Sequence, residues 1–147
     1  MADWRENILT DDARIRDLLR STRRVAVLGI KTEAQADQAA FYVPKYLAEA
    51  GVDVVPVPVY YPDAKEILGK KVYRTLADVP GAVDVVDVFR RPSDVLGHLA
   101  DLKAKRPRAV WLQLGIRNDA AAEALARDGI LVVQDRCLMV DWRRLAQ

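Results

Sequence analysis

Residues 85–95 read VVDVFRRPSDV, and this junction decides the fold. Val85, Val86 and Val88 are β-branched and Phe89 is aromatic, which suits a strand buried in a sheet. Pro92 then supplies the fixed φ that favours the first turn of a helix. A strand that feeds a helix is half of a βαβ unit, so the rest of the chain should repeat it. Between the two elements stand Arg90 and Arg91. The N–H groups and the positive dipole end of a helix start repel guanidinium groups unless an anion joins them. An anion from outside the sequence is expected there, a solvated helix start being the alternative.

The pattern does repeat. Apolar strands are predicted at about 24–28 (RVAVL), 52–57 (VDVVPV), 83–89 (VDVVDVF), 109–114 (AVWLQL) and 130–135 (ILVVQD). A leading helix is predicted at about 10–21, capped by Thr10, with Ile15, Leu18 and Leu19 at helical spacing. VPKYLAEAG reads as a helix with Pro44 near its first turn and Gly51 past its last. Two more helices are predicted at about 93–105, after Pro92, and 118–128, before Gly129. The segment from Tyr60 to Gly81 is looser, with a helical turn expected at TLADV. Apolar strands separated by single helices make a parallel sheet covered on both faces. The expected fold is a single-domain, Rossmann-like, doubly wound α/β sheet of about five strands.

Composition agrees. With 147 residues, 51% hydrophobic and 30% charged, the chain is neither disordered nor too short for one core. No apolar run approaches the roughly 20 residues of a membrane span. The start MADWRENILT is too acidic and polar for a signal peptide, so a cytoplasmic location is expected. Net charge is only +2, which gives no general basic surface for nucleic acid. A single cysteine, Cys137, and a single histidine, His98, supply neither an internal disulfide nor a zinc site.

In doubly wound sheets, ligands bind beyond the carboxyl ends of the strands. Lysine or arginine follows four of the five predicted strands, at Lys31, Arg90, Arg91, Arg117 and Arg136. Gly29 and Gly115 would let backbone N–H groups approach an anion, unless they serve only as turn glycines. Tyr60, Tyr61 and Phe89 offer flat apolar surfaces for a ring, although the tyrosines could equally cover the sheet edge. The expected ligand is a polyanion with an organic body. A dinucleotide of the NAD type is disfavoured, because Gly29 stands alone where G-x-G-x-x-G is needed and the second strand ends in Pro56-Val57-Pro58 without an acidic residue. No P-loop pattern occurs.

The ordered set VAVLGI, YVPKYLAEAG, VPV, EILGKKVYRTLADVP, VDVVDVFRRPSDV, AVWLQLGIRN and VVQDRCLMVD, over about residues 15–142, resembles the small stand-alone CoA-binding proteins related to the N-terminal domain of the succinyl-CoA synthetase α subunit. The resemblance implies that coenzyme A or an acyl-CoA lies across the strand ends. Its phosphates would meet Gly29, Ile30, Lys31 and Thr32. Three further loops would surround the rest: Pro56, Val57 and Pro58; Phe89, Arg90 and Arg91; Leu114, Gly115, Ile116 and Arg117. The chain departs from such relatives at Lys31, where they carry a small hydroxyl residue, and at Pro58-Val59, where they tend to carry Asn-Pro. The synthetase relatives work through a phosphohistidine on a further domain, which is not expected in this chain. A non-catalytic binding or regulatory module is therefore expected, with a small-molecule ligand and no membrane or nucleic-acid partner.

The remaining candidates are weaker. His98 should edge a packed helix face, away from the strand ends. Cys137 reads as a small core residue, with contact to a ligand thiol as the alternative, Arg136 beside it favouring thiolate. Asp84 and Asp87, three apart in a strand, face opposite sides and cannot form an acid/base pair, while Asp135 suits a polar contact with Arg136 or a ligand amide. Two other classes stay open: an NAD(P)-dependent oxidoreductase, and an interaction module that presents LMVDWRRL as an apolar edge through Trp142 and Leu145.

Overall fold

The structure is a computed structural model and describes residues 3–147. Five parallel strands form the sheet: β1 (Arg24–Leu28), β2 (Asp53–Val57), β5 (Val85–Val88), β6 (Ala109–Leu112) and β7 (Leu131–Val133), in the order β2-β1-β5-β6-β7. Between β2 and β5 lies a two-residue hairpin, β3 (Glu66–Ile67) with β4 (Lys70–Lys71). Among the described residues there are five α-helices: α1 (Asp12–Arg20), α2 (Ala39–Glu49), α3 (Leu99–Lys105), α4 (Asp119–Arg127) and α5 (Leu138–Leu145). Leaving the hairpin aside, this is the 2-1-3-4-5 order of a doubly wound sheet, as the strand–helix alternation predicts.

Side-chain alternation along each strand builds two cores. Val25, Val27, Val54, Val85 and Trp111 pack against Ile15, Leu18 and Leu19 of α1, Phe41 and Leu47 of α2, and Leu138 and Leu145 of α5. On the other face Ala26, Leu28, Val55, Val86 and Leu112 meet Leu76 and Val79 from the β4–β5 connection, Leu102 of α3, and Leu125 of α4.

Several boundaries differ from expectation. Asp11, not Thr10, caps α1, its carboxylate accepting the Arg14 N–H at 3.1 Å. The helix α2 begins at Ala39, so Pro44 lies in its interior. An interior proline costs a helix about 3 kcal/mol, partly by stranding the carbonyl four residues earlier. Here that carbonyl, on Ala40, accepts the N–H of Lys31 at 3.1 Å, which ties the loop after β1 to the helix. The helix after Pro92 opens as a 3-10 segment, Pro92–His98, and becomes α-helical only in α3. TLADV forms the expected single turn, closed by the Val79 N–H donating to Leu76 O at 3.1 Å, and the Asp101 carboxylate caps it by accepting the N–H groups of Leu76 and Ala77. LMVDWRRL is not a free apolar edge: it is α5, with Leu138 and Leu145 buried and Trp142 packed on the core.

Candidate functional site

The strand order reverses beside β1, so the crevice a ligand would use lies between the exits of β1 and β5. Gly29 leaves β1 with φ +89°, and a Cβ built there would stand 2.3 Å from the Phe89 carbonyl oxygen. Only glycine allows the two exits to approach this closely. The Gly29 N–H donates to Val57 O at 2.9 Å and the Phe89 N–H to Leu28 O at 2.8 Å, so the ladder extends one residue past each strand. Ile30 is buried in the core and can offer a ligand only its backbone. Lys31 directs its ammonium to the Gln38 side chain at the start of α2. Thr32 and Gln35 form a reciprocal cap on the 3-10 turn Glu33–Gln35. The loop after β1 is thus fixed by its own bonds.

At the β5 exit the two guanidinium groups find a counter-charge within the chain. Asp94 supplies the negative charge from within the chain, 2.9 Å from Arg91 Nε and 3.4 Å from an Arg90 terminal nitrogen. Hydrogen bonding from Arg91 and the charge of both arginines hold the Asp94 carboxyl below its ordinary value. The two arginines differ in setting. Arg91 is exposed, whereas the Arg90 side chain is only 14% exposed, lies 5.5 Å from the centre of the Tyr60 ring, and donates from Nε to His98 Nε2 at 3.1 Å. His98 therefore belongs to the strand ends and not to a remote helix flank.

Of the other predicted loops, Pro56, Val57 and Pro58 are buried, and Pro56 fits because β2 is an edge strand. Tyr60 beyond them is 59% exposed and meets Tyr61 edge-on at 6.5 Å. Arg74, missed in the sequence, staples this loop by donating to the carbonyls of Tyr60, Tyr61, Pro62 and Ala64. At the β6 exit Leu114 is exposed, but the Gly115 N–H is already bonded to the Asp135 carboxylate at 2.7 Å. Asp135 is therefore a loop tie. Ile116 is half-buried against the second core. Arg117 pairs with Asp119 at 3.1 Å and borders, with Thr10 and Arg136, a cleft on the β7 side. Arg136 is held by Asp141 at 2.6 Å and Asp12 at 3.0 Å, which makes it an anchor for α1 and α5.

The structure thus brings together Gly29–Thr32, Tyr60 and Phe89–Arg91, with His98 added, and sets Arg117 and Arg136 apart. Cys137 is half-buried against the first core at the start of α5. Asp84, expected within the strand, lies one residue before β5 begins and accepts the N–H groups of Arg23 and Arg24, each at 2.9 Å. Asp87 is fully buried, with neither carboxyl oxygen hydrogen-bonded, and burial pushes its carboxyl well above the ordinary range. Among the described residues no group of three or more histidine, cysteine or acidic side chains could hold a metal.

Comparison with known proteins extends this geometry. The family model described as a CoA binding domain matches residues 23–143. A solved structure from Thermus thermophilus, cell-free ID.343, superposes with TM-score 0.84 at 41% identity, covering 92% of this chain and 99% of that one. A hypothetical protein from Pyrococcus horikoshii OT3 gives TM-score 0.83 at 33% identity, with coverages of 96% and 95%. Uncharacterized protein YneT of Bacillus subtilis (strain 168) is 30% identical over 128 residues, 87% of this chain and 91% of that protein.

Proposed function

The chain belongs to the CoA binding domain family, and from that premise we propose that it binds coenzyme A or an acyl-CoA across the β1/β5 crevice as a non-catalytic module. One observation carries the reading: Gly29 brings the β1 and β5 exits together, with Lys31 in the loop that follows one strand and Arg90 and Arg91 in the loop that follows the other. Three cations suit the diphosphate and 3′-phosphate of coenzyme A, since charge-assisted bonds to phosphate are the strong ones. Tyr60, Phe89 and Leu114 supply apolar surface for the adenine or the pantetheine arm. A phosphate entering between Arg90 and Arg91 competes with Asp94. The empty protein is thereby spared an unbalanced cation pair.

The non-catalytic part of the reading is supported by how the reactive groups are used. The His98 lone pair is committed to Arg90 and Cys137 packs against the core, so among the described residues neither is offered as a base or nucleophile at the crevice. Melting curves with CoA, acetyl-CoA, NAD and NADP test the proposal. Ligand at 100 times its dissociation constant should add about 2.7 kcal/mol. Stabilisation by NAD with no response to CoA would overturn it in favour of a dehydrogenase-like site.

A further inference from the structure

His98 is the chain's single histidine. It closes the 3-10 segment Pro92–His98, and three residues per turn put it in line with the fully buried Val95. That placement carries its Nε2 to the guanidinium of Arg90, where it accepts the Nε–H at 3.1 Å. The charged groups that face the imidazole are Arg90 from the β5 exit, Asp94 from its own helix and Asp101 from α3.

An accepting nitrogen carries no proton. A protonated His98 would oppose N–H to N–H and cation to cation at the same distance, so Arg90 in this position and an imidazolium exclude each other. A phosphate at the strand ends draws the guanidinium outward and adds negative charge. The freed imidazole then faces Asp94, Asp101 and the ligand, all of which favour its protonated form.

We propose that His98 is a proton-linked positioning residue: it holds Arg90 in the free protein and takes up a proton when a phosphorylated ligand binds at the β1/β5 crevice. This rests on the CoA-binding reading above. In the free protein burial first, and the Arg90 charge second, hold the His98 imidazole below its ordinary value. Binding raises it, so by linkage affinity for the ligand increases as pH falls through the histidine range.

The test uses coenzyme A itself. With one histidine, a single imidazole resonance reports the titration by NMR without ambiguity. Calorimetry in two buffers of different ionisation enthalpy counts the protons taken up. His98→Gln keeps an amide oxygen to accept from Arg90 but cannot titrate, and His98→Leu keeps neither property. We expect CoA to raise the His98 titration and wild type to take up more protons than His98→Gln. Its affinity relative to that variant should improve about fivefold between pH 7.5 and 5.5. Above the histidine range His98→Gln should bind more tightly than His98→Leu. The phosphates of CoA titrate equally in all three proteins and cancel. Tight CoA binding with identical pH profiles for wild type and His98→Gln overturns this inference alone. Failure of the folded wild type to bind CoA overturns the functional reading and the inference together.

Discussion

Replacing Asp87 with asparagine should abolish a pH dependence of stability that the fold creates. Asp87 sits in the middle of the central strand β5, paired with Val27 on one side and Trp111 on the other. Its exposure is 0% and neither oxygen finds a hydrogen-bond donor, so burial keeps the carboxyl neutral in the fold. The same carboxyl ionises at about pH 3.9 once the chain unfolds. Unfolding therefore releases a proton at every pH between that value and the raised native one. The Asp87 contribution to stability falls as pH rises across that interval, with the limiting slope of about 1.4 kcal/mol per pH unit that one released proton sets. Against a typical domain stability of about 5–15 kcal/mol, such a slope is readily measured.

The other shifted carboxyls act with the opposite sign and elsewhere. Asp3, Asp12 and Asp94 are held below their ordinary value by hydrogen bonds with arginine partners. Their contributions are lost only as pH falls through the acid range, and they cancel between wild type and Asp87→Asn. Urea unfolding of both proteins at about pH 5, 6, 7 and 8 reads the difference directly. The variant should gain on wild type as pH rises, at unchanged m. A pH-independent difference would refute the reasoning, because it would mean that Asp87 titrates alike in the folded and unfolded chains.

Three further outcomes are expected. Gly29→Ala should destabilise by more than about 2 kcal/mol, since its Cβ meets a backbone oxygen, whereas Gly115→Ala, with nothing within 4 Å, should cost only the left-handed penalty of about 1–2 kcal/mol; melting temperatures rank the two. Arg90→Ala should lower the stability of the free protein by about 1–2 kcal/mol and Arg91→Ala should leave it within about 0.5 kcal/mol, while calorimetry should show both weakening CoA binding. Incubation with CoA disulfide should leave the intact mass unchanged, because Cys137 packs on the core; an adduct of one CoA, removed by reductant and absent from Cys137→Ser, would show that the sulfur reaches the ligand.

The fold was legible because its strands declare themselves. Runs such as RVAVL and VVDV are β-branched and apolar enough to be read as buried strands, and Pro92 marks the start of the helical segment after VVDV. What could not be read were the local structures set by distant groups. Pro44 suggests a helix start to any local rule, and only the Lys31 N–H arriving at the Ala40 carbonyl lets α2 begin five residues earlier. The turn at TLADV follows its composition, but its cap, the Asp101 carboxylate from α3, lies 25 residues from Leu76 and no local rule announces it. At Pro44 a tertiary hydrogen bond overrides propensity.

The site divides in the same way. Asp94 lies three and four residues beyond Arg91 and Arg90, a spacing at which helical neighbours meet, so the internal counter-charge was available to sequence reasoning. His98 was not, because the eight residues separating it from Arg90 are bridged by a 3-10 segment whose pitch no composition announces. Tyr60 reaches Arg90 from the loop after β2. Cations gathered at strand ends therefore signal a ligand less directly than their number suggests, since Arg117 and Arg136 turn out to pair with Asp119, Asp12 and Asp141. The distinguishing feature of Arg90 is that its partners are a carboxylate, an imidazole and an aromatic ring around the β1/β5 crevice. Each holds the guanidinium while the crevice is empty, and a phosphate can compete with each of them.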